Sequence, residues 1–321
     1  MGFISRQIEK TYKSVLFRRH DPDCSIYYFG TKDFSELKAR EHSFVSKRGH
    51  LLYGCFYSYG EISDERIVVL EHGMGNGHSA YFREIEHLCK NGYTVFSYDH
   101  TGCDRSEGEH IHGLSGSLSD LDDCINTLTS NCGYREEQIS VVGHSWGGYS
   151  SLNILSLHKD LRSVVAMSGF RSIKVMQKQA IPGIIGSYRD MMFDLEKRTN
   201  GTFAEGSAID ALKETDRPVL IIHSTDDKTV SYKWNFLPLK KALVHKENIE
   251  FMTVSGSGHS PHYSKDAFAY KESFFRALKI MRRKGLLKTD DQKRAFASKY
   301  DWYRMTEQNT DVWNMIIDFL R

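Results

Sequence analysis

Proline is scarce in this chain, with 5 residues in 321, and no low-complexity tract accompanies it. Extended disorder is therefore not expected. No apolar run approaches the ~20 residues that a membrane-spanning helix needs. Residues 1–20 carry Arg6, Lys10, Lys13, Arg18 and Arg19 but lack the continuous apolar stretch of a secretory signal. Met1-Gly2 invites an N-myristoylation reading, yet position 6 is Arg rather than Ser or Thr, and the motif fails. An excess of one charge is also missing. The 43 basic and 41 acidic residues leave a net charge of +2, which argues against a nucleic-acid binder with its concentrated basic face. The 6 cysteines, at 24, 55, 89, 103, 124 and 132, form no CxxC and no regular spacing. Reduced thiols in a cytoplasmic protein are expected rather than a disulfide framework.

What is present centres on Ile139-Ser140-Val141-Val142-Gly143-His144-Ser145-Trp146-Gly147-Gly148. An apolar run enters Gly-x-Ser-x-Gly and continues into Tyr149–Leu155, which can form a helix. Strand, tight turn and helix are the context of a nucleophile elbow. Gly143 and Gly147 lack a Cβ, so the backbone can close around Ser145 and hold it strained. The following helix aims its first amides at any oxyanion forming there.

With 40% hydrophobic residues, the length suits one large α/β domain with an insertion, or two small domains. Residues 1–40 show Ile4, Ile8, Tyr12, Val15 and Leu16 at helical spacing, which predicts an amphipathic arm packed on the body. Glu41–Lys47 and Leu51–Tyr59 read as an antiparallel hairpin around Arg48-Gly49-His50. Further strands are expected at Arg66–Glu71, Tyr93–Tyr98, Gln138–Val142, Arg162–Met167, Pro218–His223 and Ile249–Val254. Helices at Ser79–Lys90 and Ser117–Thr129 fall between them. That alternation implies right-handed crossovers and a mostly parallel sheet covered on both faces.

The interval between the strands at 162 and 218 exceeds one crossover helix. A cap insertion is expected at about 170–205, with two ordinary flanking helices as the alternative. Phe268–Leu286 and Thr310–Leu320 read as amphipathic helices, joined by a segment whose Tyr300, Trp302 and Tyr303 dock it on the body.

Three groups complete a constellation around Ser145. His259, in Ser255-Gly256-Ser257-Gly258-His259, follows the last strand, where a glycine-rich loop can carry an imidazole over the serine. Asp226-Asp227 follows the preceding strand. Either could orient His259, and the other would serve as a turn or cap residue. His72-Gly73-Met74-Gly75-Asn76-Gly77 follows an earlier strand. Its glycines let the Met74 amide turn inward beside that of Trp146 to bind an oxyanion. The order serine, aspartate, histidine is that of α/β-hydrolases. Two other groupings carry less. His110 and His112 have nothing nearby to complete a zinc set, so no metal is expected. Cys103 has no basic neighbour fixed by sequence that would activate it.

These residues resemble the α/β-hydrolase superfamily, in the branch of monoacylglycerol lipase-like and lysophospholipase-like esterases and serine aminopeptidase-like proteins. His72-Gly73-Met74-Gly75 is similar to that branch's oxyanion loop. Asp99-His100-Thr101-Gly102-Cys103-Asp104-Arg105-Ser106 is similar to its Asp-x-Arg-Gly-x-Gly-x-Ser loop, with Thr101 in place of Arg and Asp104 in place of Gly. His223-Ser224-Thr225-Asp226-Asp227-Lys228-Thr229-Val230 resembles its His-Gly-x-x-Asp-x-x-Val, with Ser224 in place of Gly; this register implies Asp227 as the acid, with Asp226 in reserve. Gly258-His259 matches its catalytic histidine. The resemblance covers roughly residues 40–260. The late Phe319-Leu320 implies an added helical insertion at about 262–308.

The expected protein is thus a residue 1–40 arm followed by an α/β-hydrolase domain over 41–321, with a helical cap and a helical C-terminal extension. The expected activity is hydrolysis of a small-molecule carboxylic ester through Ser145, His259 and Asp227, without a cofactor, nucleic-acid partner or integral membrane segment. Ile184, Ile185, Met191 and Met192 of the cap are expected to line an apolar substrate pocket. The alternatives are a peptidase whose cap acids Asp190, Asp194 or Glu196 bind a free amine, and a non-catalytic binding protein on the same scaffold.

Overall fold

The computed structural model describes residues 3–23, 26, 29–62, 65–181 and 183–321, with position 184 described by its backbone alone. Among the described residues there are ten strands, which alternate with helices from β5 onward: β1 Lys38–Glu41, β2 Phe44–Val45, β3 Leu51–Leu52, β4 Gly54–Ser58, β5 Ile67–Glu71, β6 Thr94–Tyr98, β7 Ile139–His144, β8 Ser163–Met167, β9 Val219–Ser224 and β10 Ile249–Val254. Helices α1 Phe3–Leu16, α2 Phe82–Lys90, α3 Gly116–Asn131, α4 Trp146–Ile154, α5 Ile173–Ala180, α6 Arg189–Asn200, α7 Ala208–Glu214 and α8 Phe236–Leu243 precede the last strand. After it come α9 Lys265–Arg283, α10 Asp290–Ala297, α11 Trp302–Met305 and α12 Thr310–Leu320.

The main sheet has 8 strands in the order β1-β4-β6-β5-β7-β8-β9-β10. All neighbours from β6 to β10 pair in parallel, while β4 is antiparallel to both β1 and β6. The apolar runs of β5, β6, β7, β8 and β9 are buried along their whole length, as strands covered on both faces must be. The two-residue period of a strand divides their side chains between two layers. Ile67 and Val69 face a core shared with Leu121, Leu152, Leu212 and Leu239. Val68 and Leu70 face one shared with Ile85, Leu88, Trp313 and Ile316. Helices α3, α4, α7 and α8 thus cover one face, and α2 and α12 the other. At the edge, β1 is exposed throughout, and Lys38, Arg40 and Glu41 discourage pairing with another chain.

The expected hairpin keeps one register, Phe44 opposite Leu52 and Glu41 opposite Cys55. Its ladder breaks at Tyr53, because the Tyr53 amide donates to Ser106 Oγ at 2.8 Å and its carbonyl accepts from the Asp99 amide at 2.8 Å. The arm forms α1, which ends with Leu16 in the core. Beyond it, His20 bridges to Cys103, and the Arg19 guanidinium donates to the carbonyls of Asp104, Ser106 and Gly108.

The 170–205 stretch forms α5, a 3-10 segment over Gly183–Tyr188, α6 and a further 3-10 turn over Gly201–Glu205. It crosses the loops that follow β6 and β9. Asn200 Nδ2 donates to the His112 carbonyl at 2.7 Å, and Gln179 exchanges hydrogen bonds with Thr229 and Ser231 at 2.8 and 2.9 Å. Helices α9, α10 and α11 share a small core of Phe274, Leu278, Leu287, Phe296 and Met305. They are fastened next to the loop carrying His259: the Asn309 amide and Trp313 Nε1 both donate to the His262 carbonyl, at 2.8 and 3.2 Å. No described helix is long and apolar enough to cross a membrane.

Candidate active site

Strand order reverses between β5 and β7, and the loops at the carboxyl ends there form the crevice such sheets offer to ligands. β7 delivers Ser145 into that crevice. The residue has φ 60° and ψ −110°, a conformation that costs a non-glycine residue ~1–3 kcal/mol. Its amide donates to the Met167 carbonyl at 2.8 Å and its carbonyl accepts from the Tyr149 amide at 3.0 Å, which holds the turn. The flanking glycines are compelled by contact. A Cβ at Gly143 would overlap Ser151 Oγ and the Gly147 carbonyl, and one at Gly147 would overlap the Glu71 backbone.

Ser145 and His259 are half-buried and therefore reachable, whereas Asp227 is 7% exposed. Ser145 Oγ and His259 Nε2 lie 2.7 Å apart, and His259 Nδ1 lies 2.8 Å from Asp227 Oδ2. The other oxygen of Asp227 accepts from the amides of Thr229 and Val230 at 2.8 and 2.9 Å. Burial raises the Asp227 pKa, but hydrogen bonds from His223 and His259 outweigh it and hold the carboxyl well below the usual carboxylate range. The adjacent Asp226 has a different task. It accepts from Ser224 Oγ at 2.5 Å and from the amides of Gly256 and Gly258 at 2.9 and 3.3 Å, pinning the loop that bears His259.

The glycine-rich turn after β5 meets the serine directly, since a Cβ on Gly73 would lie 3.4 Å from Ser145 Cβ. The Met74 amide is next in the chain. Trp146 begins α4, where first-turn amides have no intrahelical partner, and its indole is anchored by Nε1 donating to the Leu114 carbonyl at 2.6 Å.

Sequence reasoning missed a second chain of hydrogen bonds linking these loops. The Gly73 amide donates to Tyr81 Oη at 2.9 Å; Tyr81 Oη donates to His144 Nδ1 at 2.7 Å; His144 Nε2 donates to the His259 carbonyl at 2.7 Å. Burial, with His262 and His259 close by, lowers the His144 pKa far below its ordinary value. The ring stays neutral, in the tautomer that donates to His259. His144 is the variable residue inside Gly-x-Ser-x-Gly, but Tyr81 lies 63 positions away, and no local pattern joins them.

Beneath the elbow, His100 lies 3.3 Å from Glu71 and 3.4 Å from Asp120, all buried. Burial alone would lower its pKa, yet the two carboxylates push it up to about 9. Thr101, where the resembled loop has Arg, is turned inward, its amide and hydroxyl donating to Asp120 at 2.7 and 2.9 Å. Asp104, where that loop has Gly, has φ 41°, a region Asp enters more readily than most residues. Ser224, the third departure, supports Asp226.

The cap residues expected at a pocket are placed differently. Met192 is 0% exposed and packs inward, Ile185 and Met191 are half-buried, and the side chain of Ile184 lies outside the described residues. A chamber of about 350 Å³ borders the glycine turn at Gly75 and Asn76, and its walls come from α2, α9, α11 and the segment holding Asp21, Ile26 and Phe29. Of the cap acids, Glu196 is consumed: Tyr12 Oη, the Leu114 amide, the Ser115 amide and hydroxyl, and Asn200 Nδ2 all donate to it. Asp190 and Asp194 are exposed.

Residues 63–194 match the family model described as Serine aminopeptidase, S33. A monoglyceride lipase of Saccharomyces cerevisiae is 21% identical over 210 residues, covering 50% of this chain and 67% of the relative. The human Alpha/beta hydrolase domain-containing protein 17C is 23% identical over 248 residues, covering 74% of this chain and 67% of the relative. Among solved structures, an esterase of Pyrococcus furiosus superposes with a TM-score of 0.59 at 19% identity, over 83% of this chain and 98% of its own. An acylaminoacyl peptidase of Pyrococcus horikoshii gives 0.51 at 18% identity, over 70% and 37%.

Proposed function

We propose that the chain is a member of the α/β-hydrolase superfamily, in its monoacylglycerol lipase-like branch, and a cytoplasmic serine hydrolase of carboxylic esters; the family match over residues 63–194 and the likeness to a monoglyceride lipase support that reading. The observation that carries the proposal is the unbroken hydrogen-bond chain Ser145–His259–Asp227 at 2.7 and 2.8 Å. Ser145 Oγ attacks the ester carbonyl as its proton passes to His259 Nε2. Asp227 keeps the other ring proton on Nδ1 and stabilises the imidazolium. The Met74 and Trp146 amides bind the oxyanion, each contributing ~3 kcal/mol to the transition state. Collapse of the intermediate breaks the bond to the alcohol, which leaves with the proton from His259. Water, deprotonated by the same ring, then releases the acid and restores Ser145.

The family description and the acylaminoacyl peptidase likeness favour a peptidase as the second reading. A free amine would need an unengaged acid: Glu196 is occupied by its five donors, which leaves the exposed Asp190 and Asp194 for that role. Steady-state rates on p-nitrophenyl acyl esters and aminoacyl p-nitroanilides separate the two. Ester turnover that Ser145→Ala abolishes is expected. Preferred anilide turnover would establish the peptidase, and full ester turnover by Ser145→Ala would remove the serine mechanism.

A further inference from the structure

The chamber bordering the glycine turn has a composition that defines a ligand. Ile26, Phe29, Phe82, Phe274, Leu278 and Met305 give it an apolar wall. Its acids are already matched: Asp23 pairs with Arg282 and Lys293 at 3.0 and 3.1 Å, and Asp21 with Arg19 at 2.8 Å. One cation is not. Lys271 lines the chamber with its ammonium over the Tyr263 ring, 4.6 Å from the centroid. Among the described residues no carboxylate lies within ion-pair distance of it. Arg83, the other cation on that side, is engaged by Glu86 at 3.2 Å and stacks over Tyr303.

Both loops of the candidate site reach this chamber. Gly75 and Asn76 directly follow Met74, and Tyr263 follows His259 by one turn of chain, its ring 4.2 Å from that of His262. We propose that the chamber binds a single-chain amphiphile bearing an anionic group, with Lys271 as the counter-charge and the α9 face at Phe274 and Leu278 against the chain. This rests on the ester-hydrolase reading and gives its substrate class, a long-chain acyl ester that also carries a carboxylate or phosphate. An unpaired ammonium in an apolar wall is poorly solvated, and burial lowers the Lys271 pKa accordingly, partly offset by the charges of Glu84 and Glu272. An anion in the chamber would supply the missing partner. The helices between 262 and 308, which supply the α9 and α11 walls, are then what selects the substrate.

Titration calorimetry on the full chain tests this independently of catalysis, with decyl phosphate, decanoate and neutral 1-O-decylglycerol as probes below their micelle concentrations. At least one anion should bind about tenfold more tightly than the neutral ether, the value of one charge-assisted hydrogen bond. Lys271→Met should erase that preference and Lys271→Arg should restore it. Leu278→Trp, which fills the chamber, should weaken all three probes. A phosphate preference points to a phosphorylated headgroup, and a decanoate preference to a carboxylate-bearing substrate. The bound anion should also slow labelling of Ser145 by a fluorophosphonate. Equal binding of ether and anions, an unchanged preference in Lys271→Met, or labelling unaffected by the anion would overturn the proposal. Failure of labelling itself would count against the serine mechanism, leaving the binding result to judge the chamber.

Discussion

Replacing Asp227 by Asn isolates the tautomer of His259. An asparagine has only one oxygen to offer, and two amides already claim that position: Thr229 at 2.8 Å and Val230 at 2.9 Å. The carboxamide nitrogen must then take the other side, 2.8 Å from His259 Nδ1. Two donors cannot face each other, so Nδ1 gives up its proton and Nε2 acquires one. Nε2 is the atom 2.7 Å from Ser145 Oγ, and once protonated it can no longer take the serine proton. The loss in kcat for that tautomer change is about 10⁴-fold. Asp226→Asn is the internal control. Its oxygen can keep Ser224 Oγ and the Gly256 amide, losing only the 3.3 Å contact with Gly258, a cost of ~1 kcal/mol and less than tenfold in rate. The assay is kcat and KM for p-nitrophenyl butyrate, with circular dichroism to verify folding. Asp227→Asn within tenfold of the parent, or Asp226→Asn falling as far, would refute the assignment.

Three further outcomes are expected. His100 has a folded pKa of about 9 against ~6.5 unfolded, so its stabilisation is full below pH ~6.5 and is lost as pH rises through about 9; the melting temperature should fall across that window, and His100→Gln should flatten the slope, whereas parallel curves would contradict the ion-pair account. Tyr81→Phe unpairs the Gly73 amide and frees His144 to change tautomer, so unfolding free energy should drop by ~1–3 kcal/mol and kcat by roughly tenfold at constant KM; an unaltered kcat would make the link merely structural. Glu196→Gln places an amide nitrogen against several donors and should lower stability by ~2 kcal/mol in urea denaturation, with the ester-to-anilide rate ratio unchanged; a selective rise in KM for the anilide would instead assign Glu196 to an amine.

The sheet was legible because fully buried parallel strands must be written as uninterrupted apolar runs: Ile67–Glu71 and Val219–Ser224 could be little else. The elbow was legible for a related reason, since the packing against Ser151 and Glu71 leaves only glycine at 143 and 147. Position relative to the strands singled out His259 from the other histidines. Choosing between Asp226 and Asp227 was harder, because adjacent carboxylates differ only in direction, and direction is a property of the folded turn. Tyr81, His144 and the Glu71–His100–Asp120 cluster escaped notice because their partners are joined only by the fold. The role of the cap residues was not legible for a physical reason as well: apolar side chains at helical spacing serve a core and a pocket equally well, and Met192 is wholly buried.

The central claim is a covalent bond between substrate acyl group and Ser145 Oγ. Rapid-quench mass spectrometry during p-nitrophenyl butyrate turnover tests it most directly. A butyryl adduct is predicted on the peptide containing Ser145, accumulating when deacylation is slowed at low pH and absent from Ser145→Ala, which should hydrolyse no ester. Turnover that persists in Ser145→Ala, or an adduct on another residue, would contradict it.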